Sequence, residues 1–410
     1  MKLLTLSSSE LAILLASLAV LLFSAFVCGR VFVALKAPKV AGEIFGGFII
    51  SSILYTFFPN FTKSLFLNFE SQGYILNSFY HLGLIFLMFM AGFNTKLNYN
   101  KENIKIISVL FFGATILPCV CGYFFINYFK ESFIGNSGNS FSFDILFLIA
   151  IAVTSIPVIS KIFFDLNMMQ TRFASVVLSM ATIQDLFLWI FLNIAINDVI
   201  GENNSFFNNL FTALLTFGLF IGIKPFSNLF SRFTKNFGVD GFYLFIFLCI
   251  FISIFILNKF GINPMYSAFL CGFFVKNISN DYDKIQPISD FAFSFFIPIY
   301  FALIGLNIYI SEAFNFWLFI LFFIMAFGLE FFGIYISLSF LKMKELNKIN
   351  FAITLNARGG PGIVLASVGL YYNIINSDFF AILIFTTLLS SIIAGYFLRI
   401  MQKKDIFNHF

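Results

Sequence analysis

Apolar runs fill most of the chain, and polar residues gather in short intervals between them. A helix needs about 20 apolar residues to cross the hydrocarbon core of a bilayer. By that measure thirteen segments are predicted to span, at roughly 10–27, 40–58, 75–93, 104–129, 143–164, 173–197, 206–223, 241–257, 262–276, 291–310, 314–341, 350–371 and 378–400. The ninth is short, and the fifth and twelfth are interrupted. The run from Leu11 to Val27 has no convincing signal-peptidase site before Cys28-Gly29, so it is read as a retained first span. The expected fold class is therefore an all-α polytopic membrane protein. No soluble regulatory domain is expected after the last span.

Composition supports lipid as the solvent. The chain of 410 residues is 60% hydrophobic and 10% charged, with a mean hydropathy of +0.96. Soluble domains carry about 25% charged residues, and a soluble chain of this length could not hide so much apolar surface. The 67 phenylalanines accompany many Ile, Asn and Lys, which share AT-rich codons, so they are read as mutational bias rather than a binding platform. Cys28, Cys119, Cys121, Cys249 and Cys271 sit in or beside apolar runs without zinc-type spacing. They read as small buried apolar side chains. With His81 and His409 as the only histidines, a histidine metal centre is not expected.

Charge orients the spans. With the N-terminus outside, the inward loops and C-terminus hold nineteen Lys and Arg, the outward loops hold four, and Arg358 falls within a span, which accounts for all 24. Such asymmetry places the basic loops and the C-terminus in the cytoplasm. The expected location is the inner membrane. The net charge of +5 restates this bias, and no basic patch for nucleic acid exists outside short loops.

Ionisable groups at mid-membrane cost at least ~2.5–3.5 kcal/mol and tend to mark function. Three stand out: Asp185, Glu330 and Arg358. Asp185 lies mid-span in ATIQDLFLW, after Gln184 and one turn beyond Thr182. Burial disfavours the charged form of a carboxyl group. A carboxylate reached by water from one side at a time can hold either a proton or a metal cation. The competing reading is a packing Asp satisfied by a neighbouring span. Glu330, in AFGLEFFGIY, either carries a proton or pairs with a buried cation such as Arg358. Glu43, in KVAGEIFGGF, lies nearer a membrane edge and is read as structural, with Gly46 and Gly47 suited to close helix packing.

Two spans are predicted to break. In FLIAIAVTSIPVISKIF, Pro157 cannot donate to the helix ladder, and Thr154 and Ser155 can satisfy freed backbone groups. An ordinary proline kink is the alternative. In ITLNARGGPGIVLASVGL, the break is predicted around Gly359, Gly360, Pro361 and Gly362. Broken backbone survives at membrane depth only inside protein or beside a cavity. Two unwound spans far apart are a signature of transporters built from repeats. These two lie seven spans apart, and the odd offset makes the copies upside down relative to each other. The prediction is one transmembrane domain with repeat one at about 10–197, a linker helix at about 206–223, repeat two at about 241–400, and two crossed, interrupted helices.

Six strings in order resemble one family: APKVAGEIFGGFI, HLGLIFLMFMAGF, AIAVTSIPVISKIFFDL with SMATIQDLFL, NPMYSAFLCGF, FFIPIYFALIGLN and NARGGPGIVLA. The chain resembles the monovalent cation:proton antiporters of the second family, the branch of bacterial sodium–proton exchangers and potassium-efflux systems. The resemblance implies exchange of Na+ or K+ for H+ by alternating access, with the ions as substrates and no cofactor. It implies cation coordination by Asp185 with Thr154 and Ser155, a core domain moving against a dimerisation domain, and a homodimer. Gln184 stands where electrogenic members carry Asp, Glu or Asn, and resembles the potassium-efflux branch. Asn94 stands where a Glu is common. Glu330 falls where the family usually has a Lys paired with the essential Asp, so either Asp185 and Glu330 share a proton or Arg358 compensates. An enzyme is not expected, since only Asp281 and Asp283 form a close acidic pair in a loop. The alternatives are an uncoupled or transport-inactive relative, and a carrier of a small organic substrate.

Overall fold

The computed structural model describes residues 6–35, 37–94, 101–166, 168, 171–200, 211, 214–215, 218–219, 222–223, 226–227, 230–231, 238–262, 264–278, 282–308, 314–341 and 347–402. It is helical almost throughout. In chain order the helices are α1 (Ser8–Ala34), α2 (Lys39–Phe57), α3 (Pro59–Phe66), α4 (Gln72–Asn94), α5 (Asn103–Tyr123), α6 (Ile126–Phe133), α7 (Ser140–Ala152) and α8 (Ile156–Asp165). They continue as α9 (Arg172–Ile200), α10 (Val239–Asn258), α11 (Pro264–Ile278), α12 (Lys284–Leu306), α13 (Phe316–Ser339), α14 (Lys348–Leu355), α15 (Gly359–Tyr371) and α16 (Ser377–Gln402). Among the described residues, nine of these are long and apolar enough to cross a membrane. The expected short span is α11, and the two interrupted spans are the pairs α7–α8 and α14–α15. The expected linker helix at 206–223 lies largely outside the described residues.

The helices sort into two bodies. One contains α1 to α4 and α10 to α12; the other contains α5 to α9 and α13 to α16. Among the described residues, every extensive helix–helix contact falls within one body or the other.

Glycines explain how the first body is held. A methyl group on Gly92 of α4 would strike the Phe269 carbonyl of α11, and one on Gly272 of α11 would strike the Phe89 carbonyl of α4. The same reciprocal contact joins α2 and α12, with Gly47 against the Ala302 carbonyl and Gly305 against the Ile44 carbonyl. In lipid, close backbone approach supplies the packing that water would otherwise drive. Gly46 likewise lies on the Ser24 carbonyl of α1, as its sequence setting predicts. In the expected numbering, whose seventh span lies largely outside the described residues, adding seven to the second and third spans gives the ninth and tenth, so the expected repeat would make the α4–α11 and α2–α12 pairs images of each other. In the second body Gly113 of α5 and Gly333 of α13 meet backbone to backbone.

Two predicted boundaries are corrected. The fourth span ends at Tyr123 and not near 129. Phe124 and Phe125 donate to the Cys121 and Gly122 carbonyls three residues back, which closes the helix before α6. The twelfth span breaks at Asn356–Arg358, upstream of the glycine cluster. Gly359, Gly360, Pro361 and Gly362 instead form the first turn of α15. A helix leaves its first four N–H groups without intrahelical partners, so a proline there removes no helical bond.

Candidate functional site

The two breaks meet at the centre of the second body. The Ser155 N–H donates to the Ala357 carbonyl at 2.6 Å, joining the unwound segments backbone to backbone. The Ser155 hydroxyl accepts from the N–H of Val158 (3.3 Å) and of Gly360 (3.2 Å), so it caps α8 and touches the start of α15. The Gly359 N–H donates to Ser391 Oγ of α16 at 3.1 Å. Gly359 has φ of +31°, and a Cβ there would collide with Val158 and Ser155. Pro157 is the second residue of α8, where no helical bond is lost.

Breaking α7 frees carbonyls at its end, and side chains from other helices satisfy them. Arg358, 1% exposed, donates from Nη1 to the Ala150 carbonyl (2.7 Å) and from Nη2 to the Ile151 carbonyl (2.8 Å). Nη2 also reaches the Ala326 carbonyl (2.8 Å) and Glu330 Oε2 (3.2 Å). Gln184 Nε2 donates to the Ala152 carbonyl, and at 3.3 Å to the Ala114 carbonyl in a π-helical turn of α5, Phe112–Ile116. A cation at a helix C-terminus also meets the favourable end of its dipole.

Glu330 is fully buried and doubly held. Its Oε2 pairs with Arg358, and its Oε1 accepts from the Thr154 hydroxyl at 3.1 Å. The Thr154 hydroxyl also reaches the Leu355 carbonyl at 2.8 Å, at the end of α14. Removing one partner of a buried ion pair leaves an uncompensated charge, so Glu330 and Arg358 are mutually required.

Asp185 is placed differently. It is 3% exposed, and its Oδ1 is buried with no hydrogen-bond partner. It faces a cavity of about 10 Å³ lined by Leu87, Met88 and Ala91 of α4, Phe269 of α11, and Gly360 and Pro361 of α15. That space lies between the two bodies and is about the size that seats one water. A larger cavity of about 560 Å³ also lies between the bodies, at the face where α1 begins. Ser51, Asn77, Tyr80 and Asn307 line it from the first body, and Ser367 and Tyr371 from the second.

The predicted site residues therefore divide. Thr154, Glu330 and Arg358 form one network. Ser155, Gly359 and Gly360 form the junction of the breaks. Asp185 shares its cavity with Gly360 and Pro361, and no hydrogen bond among the described residues joins it to Thr154 or Ser155. Glu43 is buried and paired with Lys39 at 2.8 Å, consistent with a structural part. Sequence reading missed Ser391, whose hydroxyl is one of many on apolar helices. It also missed Asn193 and Asn197, whose spacing of four along an apolar span was a usable signal. No group of three or more His, Cys, Asp or Glu that could hold a metal occurs among the described residues.

Crossed broken helices beside a buried carboxylate with an unpartnered oxygen, set in a body that packs separately from its neighbour, define a membrane-embedded transporter. The chain belongs to the family described as sodium/hydrogen exchanger, transmembrane, which matches residues 20–404. It is a multi-pass cation/proton antiporter and not an enzyme. It is 24% identical over 403 residues to the Na(+)/H(+) antiporter NhaS4 of Synechocystis, covering 95% of this chain and 97% of that one. It is 26% identical over 316 residues to the K(+)/H(+) antiporter 1 of Saccharomyces cerevisiae, covering 74% of this chain and 36% of that protein. Its fold resembles that of the sodium proton antiporter MjNhaP1 from Methanocaldococcus jannaschii, with a TM-score of 0.68 and 16% identity over 97% of this chain and 99% of that one.

Proposed function

We propose that the chain exchanges Na+ or K+ for H+ at Asp185, with alternating access produced by motion of the second body against the first. The observation that carries this reading is the buried, unpartnered Asp185 Oδ1 facing the space between the bodies. A bare carboxylate at that depth costs at least ~2.5–3.5 kcal/mol. Binding either a proton or a monovalent cation removes the charge, so both loaded forms cross more readily than the empty one. Competition for one group then couples the two fluxes. Glu330 is held by Arg358 and Thr154 and adds no second exchangeable charge, which makes the exchange one cation for one proton. Gln184, Thr154 and Ser155 support the site by holding the ends of the broken helices, and Gln184 Oε1, buried without a partner, is a further oxygen for the cation. The breaks at Val153–Ser155 and at Asn356–Arg358 let the two helices pass at the carboxylate.

The positive-inside bias supports an orientation with the face where α1 begins outside and the C-terminus in the cytoplasm, in the inner membrane. The 560 Å³ cavity is then the outer approach. A homodimer through the first body follows from the family resemblance. The test is proton flux in proteoliposomes holding a pH gradient, read by a trapped dye as Na+ or K+ is added. Cation-dependent proton movement that disappears in Asp185→Asn is the expected result, and the more effective cation identifies the substrate. Equal movement in folded Asp185→Asn removes Asp185 from the mechanism.

A further inference from the structure

The extensive packing lies within each body, which makes the few polar links between the bodies informative. At the face where α1 begins, Asn193 Nδ2 and Asn197 Nδ2 of α9 donate to one acceptor, the Gly261 carbonyl, at 3.0 and 3.2 Å. Gly261 belongs to the turn between α10 and α11 and has φ of +73°, a conformation that favours glycine. The two asparagines are one helical turn apart, so both present to the same side of α9. At the opposite face, the Tyr396 hydroxyl of α16 donates to the Leu35 carbonyl, in the turn between α1 and α2.

These links are images of each other. Each joins the last span of one repeat to the turn between the first two spans of the other. The sixth and thirteenth spans are seven apart, and so are the turns that follow the first and eighth.

We propose that Asn193–Asn197–Gly261 and Tyr396–Leu35 are a matched pair of pivots, one at each membrane face, about which the second body moves. The inference rests on the alternating-access reading above. Its logic comes from symmetry. In a carrier built of inverted repeats, changing the exposed side exchanges the conformations of the two repeats. A contact made by repeat one on repeat two is thereby converted into its image. A gate is made in one state and open in the other, so only one of a pair of image gates is closed at a time. Here both image contacts are closed together, and exchanging the repeats returns the same arrangement. Contacts with that property persist through the cycle. The large cavity behaves in the opposite way. It lies at the face where α1 begins, lined by Asn77 and Tyr80 of α4 and by Ser367 and Tyr371 of α15, with Tyr80 hydrogen-bonded to Ser367 beside it.

The test compares cross-links at the two kinds of place. The first pair, Leu35→Cys with Tyr396→Cys, sits at a pivot, and both positions are exposed. The second pair, Asn77→Cys with Tyr371→Cys, spans the cavity. Each is treated in proteoliposomes with a short bifunctional maleimide carrying a disulfide, beside the chain with only its five native cysteines. Cross-linked yield is read by gel shift after cleavage in the 35–396 loop interval. The expected result is that the pivot cross-link keeps more than half of the exchange rate. The cavity cross-link abolishes exchange, and reductant restores it. A pivot cross-link that stops exchange, with recovery on reduction, overturns the pivots and leaves alternating access standing. Full exchange with both pairs cross-linked overturns alternating access itself, and the pivots with it.

Discussion

The two bodies bury different chemistry. The first is held by backbone meeting backbone at Gly42, Gly46, Gly47, Gly92, Gly272 and Gly305, with few buried polar groups beyond Ser17, Glu43, Thr62, Gln72 and Ser267. The second buries Thr154, Ser155, Gln184, Asp185, Glu330, Arg358, Thr387 and Ser391, among others. The difference follows from the breaks. An intact helix satisfies its own backbone, so a scaffold of intact helices needs only small residues to close up. A broken helix exposes carbonyl and N–H groups at a depth without water, and each must be met by a side chain or by other backbone. The polar residues of the second body are there chiefly to make its breaks tolerable. Asp185 differs in holding no backbone group at either break, and its Oδ1 is among the buried atoms without a hydrogen-bond partner.

The largest test of this contrast is Asp185→Asn. It is expected to abolish exchange with little change in melting temperature, because the Asp185 Oδ1 holds no backbone group. Flux and thermal unfolding measured on one preparation check both parts. A large loss of stability would place Asp185 among the structural polar groups.

Arg358→Ala should do the reverse. It uncaps the Ala150 and Ile151 carbonyls and leaves Glu330 unpaired, for a loss of ~3–5 kcal/mol. The double change Arg358→Met with Glu330→Leu should recover part of that stability, since removing both charges removes the unpaired one. Unfolding in detergent by heat or denaturant reads this cycle.

Glu330→Gln is expected to leave the position of the pH–rate profile unchanged while lowering stability, because Glu330 is tied to Arg358. A displaced profile would make Glu330 a second proton carrier.

In the first body, Gly272→Ala forces a methyl group into the Phe89 backbone, at an expected cost of ~1–3 kcal/mol. Gly328→Ala in α13 of the second body meets open space and should gain ~0.5–1 kcal/mol from the lower entropy cost of fixing alanine in a helix. Opposite signs in one thermal assay would confirm that glycine holds the first body by close approach and not by flexibility. Ser391→Ala removes the acceptor of the Gly359 N–H and should cost ~1 kcal/mol.

Much of this was legible in the chain, for specific reasons. Apolar runs of bilayer length have few structural outcomes, so twelve of the thirteen expected segments match described helices, allowing for breaks. Pro157 and the Gly359–Pro361 cluster marked interrupted spans because proline and glycine act on local backbone. Asp185, Glu330 and Arg358 stood out because lipid makes a charge conspicuous. The resemblance then supplied an order of motifs that composition could not.

What the sequence alone determined was therefore what depends on neighbours along the chain: which segments span, where they break, and which charges are buried. The tertiary structure decided what depends on neighbours in space. It alone showed that Arg358 serves the carbonyls of α7 while holding Glu330, and that Gln184 caps a helix end. It alone moved the second break upstream of its glycines, and left Asp185 Oδ1 facing a space between two bodies. Thr154 and Arg358 are 204 positions apart, and both reach Glu330. No periodicity or propensity carries information across that interval, because only folding brings the two ends of it within a hydrogen bond of one carboxylate.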